Sequence, residues 1–434
     1  MRKRRGRECR KEAIEPYLNS FINYERYKYF PKKVDLNDFK NFLKLIGNPQ
    51  RELSSSILIA GTNGKGSVAA ILSSVLIHAG YRTGVYTSPH IFTYRERIKV
   101  NGKVISKDSF KMCINSVKPY LDNPYQKERR TFFEVLTTVA FLYFRDKKTD
   151  INIFEVGLGG RLDATNVVEP IVSVITSIGF DHTRILGRTL PEIAQEKCGI
   201  VRRKHALVSS EQHKNAMKII ERIAAKKKAY LITTSDINLK PYLLNDKGIH
   251  FSYKREKYFT PLTGKFQLEN LRTAIAVLKV IENRGFSVSK EAIGQGLANC
   301  SWRGRFEIVS RKPIIILDGA HNPSALKEIL KAVNEIYPQK KITVVFSCLR
   351  SKDKAAMANI LESFAERIII TRIDSERASE IEELRRVFKT EIYERNNIKN
   401  AIILARRILK KDSLILVTGS IYLVSEALCV IEDK

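Results

Sequence analysis

The chain has 434 residues, 44% of them hydrophobic, and a formal net charge of +30. That length predicts two α/β domains rather than one core, and the absence of any apolar run of about eighteen residues excludes a membrane-spanning helix. The positive charge is spread along the chain without the aromatic-basic interleaving of a single-strand binder, so it points to small polyanionic ligands rather than to nucleic acid. Six scattered cysteines (Cys9, Cys113, Cys198, Cys300, Cys348 and Cys429) form no C-x-x-C pair, which argues against zinc or a disulfide framework and for reduced thiols in the cytoplasm. The basic start "MRKRRGRECR" is followed by "KEAIEPYLNS", not by an apolar stretch with a cleavage site, and does not read as a secretory signal.

In chain order, "SSILIAG" predicts a buried parallel strand that runs into a tight turn. "AGTNGKGS", Ala60 to Ser67, follows; it carries the glycines, lysine and hydroxyl of a phosphate loop but is shorter than G-x-x-x-x-G-K-[ST]. Val68, Ile71, Leu72, Val75 and Leu76 then recur at helical spacing, Gly80 supplies a stop, and "RTGVYTS" predicts the next strand. In this βαβ unit, backbone N–H groups and the positive end of a helix would face an anion, Lys65 would add a mobile charge, and Ser67 could approach a magnesium ion or a phosphate. A glycine-rich connection alone would also produce G-x-x-G-K; the flanking strand and helix favour the phosphate loop.

Further on, "TFFEVLTTVAFLYFRDKK" predicts a helix, and "INIFEVGLGG" and "IVSVITSIGFDH" predict strands whose carboxyl ends are where ligands gather. Glu155 inside "IFEV" is costly to bury unless it meets a cation or a donor network. His182, at the end of its own strand, reads by itself as a hydrogen-bonded structural histidine; beside Glu155 and a phosphate loop it becomes a candidate magnesium neighbour, although imidazole is an unusual partner for so hard an ion. Lys197 by itself reads as a surface lysine.

"GIHFSYKREKYFTPLTGKFQLEN" predicts β-hairpin material leading into the helix "ENLRTAIAVLKVI". The pattern breaks around "NCSWRGRFEIVSRKP", and Pro313 opens a strand, a polar turn and a helix with Pro323 in its first turn. Alternating strands and helices then predict a Rossmann-like unit of about 120 residues without a glycine fingerprint of its own. Asp318 and His321 follow its first strand, where they could face a ligand held between the domains. The predicted domains are 1–308 and 309–434.

Several motifs together resemble the folylpolyglutamate synthase and dihydrofolate synthase family, a branch of the Mur-type ATP-dependent amide ligases. They are "YLNSFINYERY", "LIGNPQ", "AGTNGKGS", "YTSPHIFTYRERIKVNG", "TFFE", "EVGLGGRLDATN", "TSIGFDHTRILG", "IAQEKCGI", "GKFQLEN", "RGRFEIV", "DGAHNP" and "VTGS", in family order over nearly the whole chain. The resemblance implies an N-terminal P-loop-type Mur-ligase ATPase domain and a smaller C-terminal Rossmann-like glutamate-ligase domain. It implies that Thr62, Asn63, Gly64, Lys65, Gly66 and Ser67 cradle the phosphates of ATP, and that Asn270, Arg305, Asp318 and His321 contact the nucleotide. It also implies two Mg2+ sites, one on Ser88 and Glu155 and one on His182 with Lys197, the lysine carrying a carbamate from carbon dioxide. Lys65, Lys197, His182 and Glu155 form the implied catalytic set. Thr131, Phe132, Phe133, Glu134, Leu162, Asp163, Ala164 and Asp35 are implied for the pterin substrate. A monovalent cation such as K+ is a further expected cofactor.

The implied reaction adds L-glutamate to dihydropteroate or to reduced folates through an acyl phosphate, in a monomer acting on small molecules without nucleic acid or membrane. The family usually has alanine where "EKCGI" has Cys198, a substitution by another small packing residue. "MRKRRGRECRK" lies outside the resemblance. The alternatives are a cell-wall Mur ligase, which shares the chemistry but not "TSPH" with "GGRLDATN", and a nucleic-acid-stimulated ATPase.

Overall fold

Three sheets organise the chain in a computed structural model that describes residues 14–23 and 35–432. Cys9, the leader "MRKRRGRECRK" and the "YERY" end of "YLNSFINYERY" lie outside the described residues. The first sheet contains β1 (Ser55–Ala60), β2 (Thr83–Tyr86), β3 (Ile98–Val100), β4 (Lys103–Val104), β5 (Ile151–Glu155), β6 (Val172–Ile175), β7 (Ala206–Ser209) and β8 (Tyr230–Thr233). Their order is β4-β3-β2-β5-β1-β6-β7-β8, with β3 antiparallel to both β2 and β4 and all other pairings parallel.

The central strands are apolar throughout because both faces are covered. On β1, Leu58 points into a core built on the helix Phe132–Asp146, while Ile57 and Ile59 point into a second core with the helices Lys65–His78 and Gln267–Glu282. β1 sits between β5 and β6, so the chain leaves its carboxyl end in one direction and returns from the other. Such a switch point opens a crevice outside the strand ends.

The hairpin region forms a three-stranded antiparallel sheet of β9 (Lys240–Asn245), β10 (Gly248–Tyr253) and β11 (Glu256–Thr260). The third sheet joins β12 (Glu307–Arg311), β13 (Ile314–Asp318), β14 (Lys341–Phe346), β15 (Ala365–Thr371), β16 (Tyr393–Arg395) and β17 (Ser413–Thr418) in the order β12-β13-β17-β14-β15-β16. It begins at Glu307 rather than at Pro313, because β12 folds back antiparallel on β13. A division after residue 308 would therefore cut β12. "EIEELRRVF" shortens to the helix Ile381–Arg385. Among the described residues no helix is long and apolar enough to cross a membrane.

Candidate active site

The carboxyl ends of β1, β5, β6 and β13 meet at one cavity of about 1010 Å³, lined from both halves of the chain. At its floor the phosphate-loop stretch turns from β1 into the helix Lys65–His78. Gly64 caps that helix at φ +88°, and a Cβ there would stand 2.2 Å from Asn270 Oδ1, so glycine is required on both counts. The N–H groups of Thr62 and Asn63 are already committed to Ser177 O at 2.9 and 3.2 Å. The amides left for an anion are those of the first helical turn, which have no intrahelical partner. Lys65 Nζ folds back onto the carbonyls of Gly61 (3.1 Å) and Thr62 (3.2 Å).

Lys197 is buried, against its reading as a surface residue, and donates to the same Gly61 carbonyl at 2.8 Å. Burial, reinforced by the charge of Lys65, pushes its pKa down to about 7. Glu155 ends β5 almost fully buried, receiving the Ser88 N–H at 3.1 Å. Burial raises its pKa against the opposing pull of Lys65 and Arg305. Ser88 lines the same wall.

His182 takes a left-handed φ of +49° at the mouth of the loop after β6. Burial, with Lys352 next, pushes its imidazole down to about 3, so the ring is neutral and retains a lone pair. Beside it Asp181 binds across to the C-terminal half: Lys352 Nζ lies 2.6 Å from Oδ1 and His321 Nε2 3.2 Å from Oδ2. Burial would raise the Asp181 carboxyl, but the His321 hydrogen bond and the Lys352 ammonium outweigh it and hold it well below the usual carboxylate range. Asn322 Nδ2 donates to Asn63 Oδ1 at 3.0 Å, and Asn63 Nδ2 donates to Ser324 Oγ at 3.0 Å, extending this polar seam to the phosphate loop. The sequence reading gives no role to Asp181 or Lys352. The signals that would have found them are the "DH" pair itself and the position of Lys352 after β14.

The other expected residues divide by what they touch. Asp318 accepts the N–H groups of Phe306 (2.8 Å) and Ala320 (2.7 Å), and Asp163 those of Gly157, Leu158 and Thr165 (each 3.0 Å); both organise loops that line the cavity. Thr131 and Glu134 close a capping box on the helix Phe132–Asp146. Phe133 presents its ring to the cavity with Leu162, Ala164, Ile185 and Leu186, an apolar wall suited to a flat ring. Two residues fall outside it: Phe132 packs in the core with Arg97 over its ring at 5.3 Å, and Asp35 is an exposed cap accepting the Asn37 N–H at 2.9 Å.

A glycine-rich loop, a buried carboxylate and a buried lysine at the strand ends of the first sheet, facing a Rossmann-like sheet across one cavity, are the arrangement of the class of Mur-type ligases. The Mur ligase middle domain matches residues 59–278, and the Mur ligase glutamate ligase domain matches residues 304–421. The chain is 35% identical over 419 residues to the dihydrofolate synthase/folylpolyglutamate synthase of Bacillus subtilis (strain 168), covering 92% of this chain and 95% of that one. It superposes on a Mycobacterium tuberculosis folylpolyglutamate synthase complexed with ADP with a TM-score of 0.86, at 28% identity and over 96% and 97% of the two chains. For a bifunctional folylpolyglutamate synthase/dihydrofolate synthase of Yersinia pestis, complexed with AMPPNP and Mn ion, the TM-score is 0.83, at 29% identity and the same coverages of 96% and 97%. The chain belongs to the folylpolyglutamate synthase/dihydrofolate synthase family.

Proposed function

We propose that this chain is an ATP-dependent ligase that joins L-glutamate to dihydropteroate and to reduced folates. The observation that carries the reading is the convergence of Lys65, Glu155, Lys197 and the apolar Phe133 wall on one cavity shared by the two halves. A carboxylate does not condense with an amine unaided. Its oxygen attacks the γ-phosphorus of ATP, releasing ADP and forming an acyl phosphate; the amino group of glutamate then attacks the carbonyl carbon, the amide forms, a proton leaves the nitrogen and phosphate departs. The first-turn amides of the helix Lys65–His78 bind the phosphates, and Lys65 leaves its carbonyl partners to neutralise the transferring oxygens. The Phe133 wall orients the aromatic substrate, and the C-terminal half screens the acyl phosphate from water.

The residues present fit a divalent cation. Glu155 is a buried carboxylate with one backbone donor among the described residues, and Ser88 stands beside it. No group of three or more His, Cys, Asp or Glu among the described residues is arranged to hold a metal ion by itself, so Mg2+ held here would keep waters and substrate oxygens in its shell. Ser88 and Glu155 would hold one ion, and neutral His182 with Lys197 as its carbamate the other. When bound, Mg2+ offsets charge on the phosphoryl group. The same reading takes K+ as an auxiliary ion, the chain as a monomer in the cytoplasm independent of nucleic acid, and the domain division as lying in the segment before Glu307.

The test supplies protein with ATP, Mg2+ and L-glutamate and compares dihydropteroate with tetrahydrofolate by phosphate release and product mass. A product one glutamate heavier is expected from each. Reaction of only one substrate narrows the enzyme to that activity, and reaction of neither, with or without added oligonucleotide, overturns the reading.

A further inference from the structure

The segment that joins the two halves is fastened on both sides. Trp302 lies against Gly66, the second residue of the helix Lys65–His78: a Cβ at Gly66 would stand 2.7 Å from Trp302 Cζ2 and 3.0 Å from Cε2 and Nε1. Its ring packs against the core of the first sheet, and Lys99 of β3 places Nζ 5.6 Å from the ring centroid. Gly66 lines the cavity, but Trp302 does not. A few residues on, the segment is tied to the other half. Gly319 N–H donates to Gly304 O at 2.9 Å, Phe306 N–H donates to Asp318 Oδ2 at 2.8 Å, and Arg305 packs so closely that a Cβ at Gly319 would lie 2.2 Å from its Nη1.

One anchor therefore sits on the first turn of the phosphate-loop helix and the other on the carboxyl end of β13. An indole is rigid and has only two side-chain torsions, so a shift of the C-terminal half relative to the first sheet is carried by this short connection to the backbone at Gly66. The amides of that turn are the ones free for phosphate. We infer that Trp302 is a positioning residue that couples the seating of the C-terminal half to the geometry of the phosphate-binding turn. The inference rests on the proposed ATP-dependent reaction, yet its readout needs only nucleotide binding.

Trp302 is the only tryptophan of the chain, so its emission reports this contact without labelling. Full-length protein is titrated with ADP and Mg2+, following tryptophan emission and, in parallel, heat of binding. Emission is expected to change and to saturate over the calorimetric range. Binding heat with unchanged emission overturns the coupling while leaving the ligase reading intact; absence of binding heat overturns both. In steady-state assays, Trp302→Ala is expected to lower kcat/KM for ATP by about tenfold or more, since small displacements of positioning groups have effects of that order. The KM for the folate substrate is expected to stay within about twofold, and Trp302→Phe to restore most of the loss. A folded Trp302→Ala protein with wild-type ATP kinetics, or one whose two KM values rise together, contradicts the assignment. Circular dichroism of both variants separates these outcomes from misfolding, and Trp302→Phe carries the kinetic comparison if Trp302→Ala does not fold.

Discussion

Lys65 and Lys197 donate to the same oxygen, the carbonyl of Gly61, at 3.1 and 2.8 Å. Two cations on one acceptor repel each other, and the buried one, Lys197, gives up its proton more easily than the part-buried Lys65 would. With a pKa of about 7 against an ordinary 10.5, Lys197 is largely neutral in the folded protein at pH 8 and charged in the unfolded chain. Between those values the unfolded state binds more protons, so this group makes stability rise with pH from about 7 towards 10.5.

Only a neutral amine adds to carbon dioxide, so carbamate on Lys197 is expected to increase through pH 7 when the carbon dioxide pressure is held constant. A 13C NMR signal from 13CO2-equilibrated protein is expected to be present at pH 8, weak at pH 6 and absent in Lys197→Ala. Lys197→Ala is also expected to lose most ligation, with partial rescue by acetate. A signal that ignores both pH and the substitution removes the carbamate from the account.

Lys65→Ala tests the phosphate loop. Among the described residues its ammonium bonds to the loop carbonyls of Gly61 and Thr62 and belongs to no hydrophobic core, so the fold is expected to survive. Loss of one donor aimed at developing charge is worth about 100-fold or more in kcat. Circular dichroism and ADP release measured on one preparation check both halves of the prediction; a folded variant that turns over normally is incompatible with the assigned role.

Much of this site was legible in the sequence because its parts sit where local rules apply. "SSILIAG" had the unbroken apolar pattern of a doubly covered strand, and the loop it feeds needed glycine wherever the backbone turned left-handed or approached Asn270. Lys197 was not legible from local pattern: its helix carries a mixed polar sequence, and only the fold shows that its side chain passes inward to Gly61. Asp181 and Lys352 lie 171 residues apart, so their pairing is a property of how the two halves meet. Phe132 and Phe133 are adjacent and chemically identical; the helix phase alone sends one to the core and the other to the cavity.

Gly64→Ala probes the turn itself. A non-glycine residue at φ +88° costs about 1–2 kcal/mol, and the added methyl must also displace the Asn270 carbonyl that would lie 2.2 Å away. Calorimetry is expected to show a Tm lowered by several degrees, together with an ADP affinity at least about tenfold weaker, because Asn270 and the first helical turn shift together. Unchanged Tm and affinity would mean that the loop relaxes freely and does not hold its shape for phosphate.

The last prediction concerns the Asp181–Lys352 pair, which is buried and joins the two halves. Removing one partner of such a pair leaves an uncompensated charge and costs about 3–5 kcal/mol, so Lys352→Met is expected to destabilise by that order and Asp181→Asn/Lys352→Met by less than the sum of the single changes. Denaturant unfolding of the four proteins measures the coupling. The pair also acts on its neighbour. Burial first and the Lys352 charge second depress His182 to about 3 from 6.5, so in that window the unfolded chain binds the extra proton and acidification lowers stability. Removing the Lys352 charge raises the His182 pKa and narrows the window. In 15N-histidine spectra the His182 ring is expected to stay neutral down to pH 5 in the parent protein and to begin titrating at higher pH in Lys352→Met. A His182 titration that is identical in the two proteins, with additive stabilities, would show that Asp181 and Lys352 do not form the interdomain pair described.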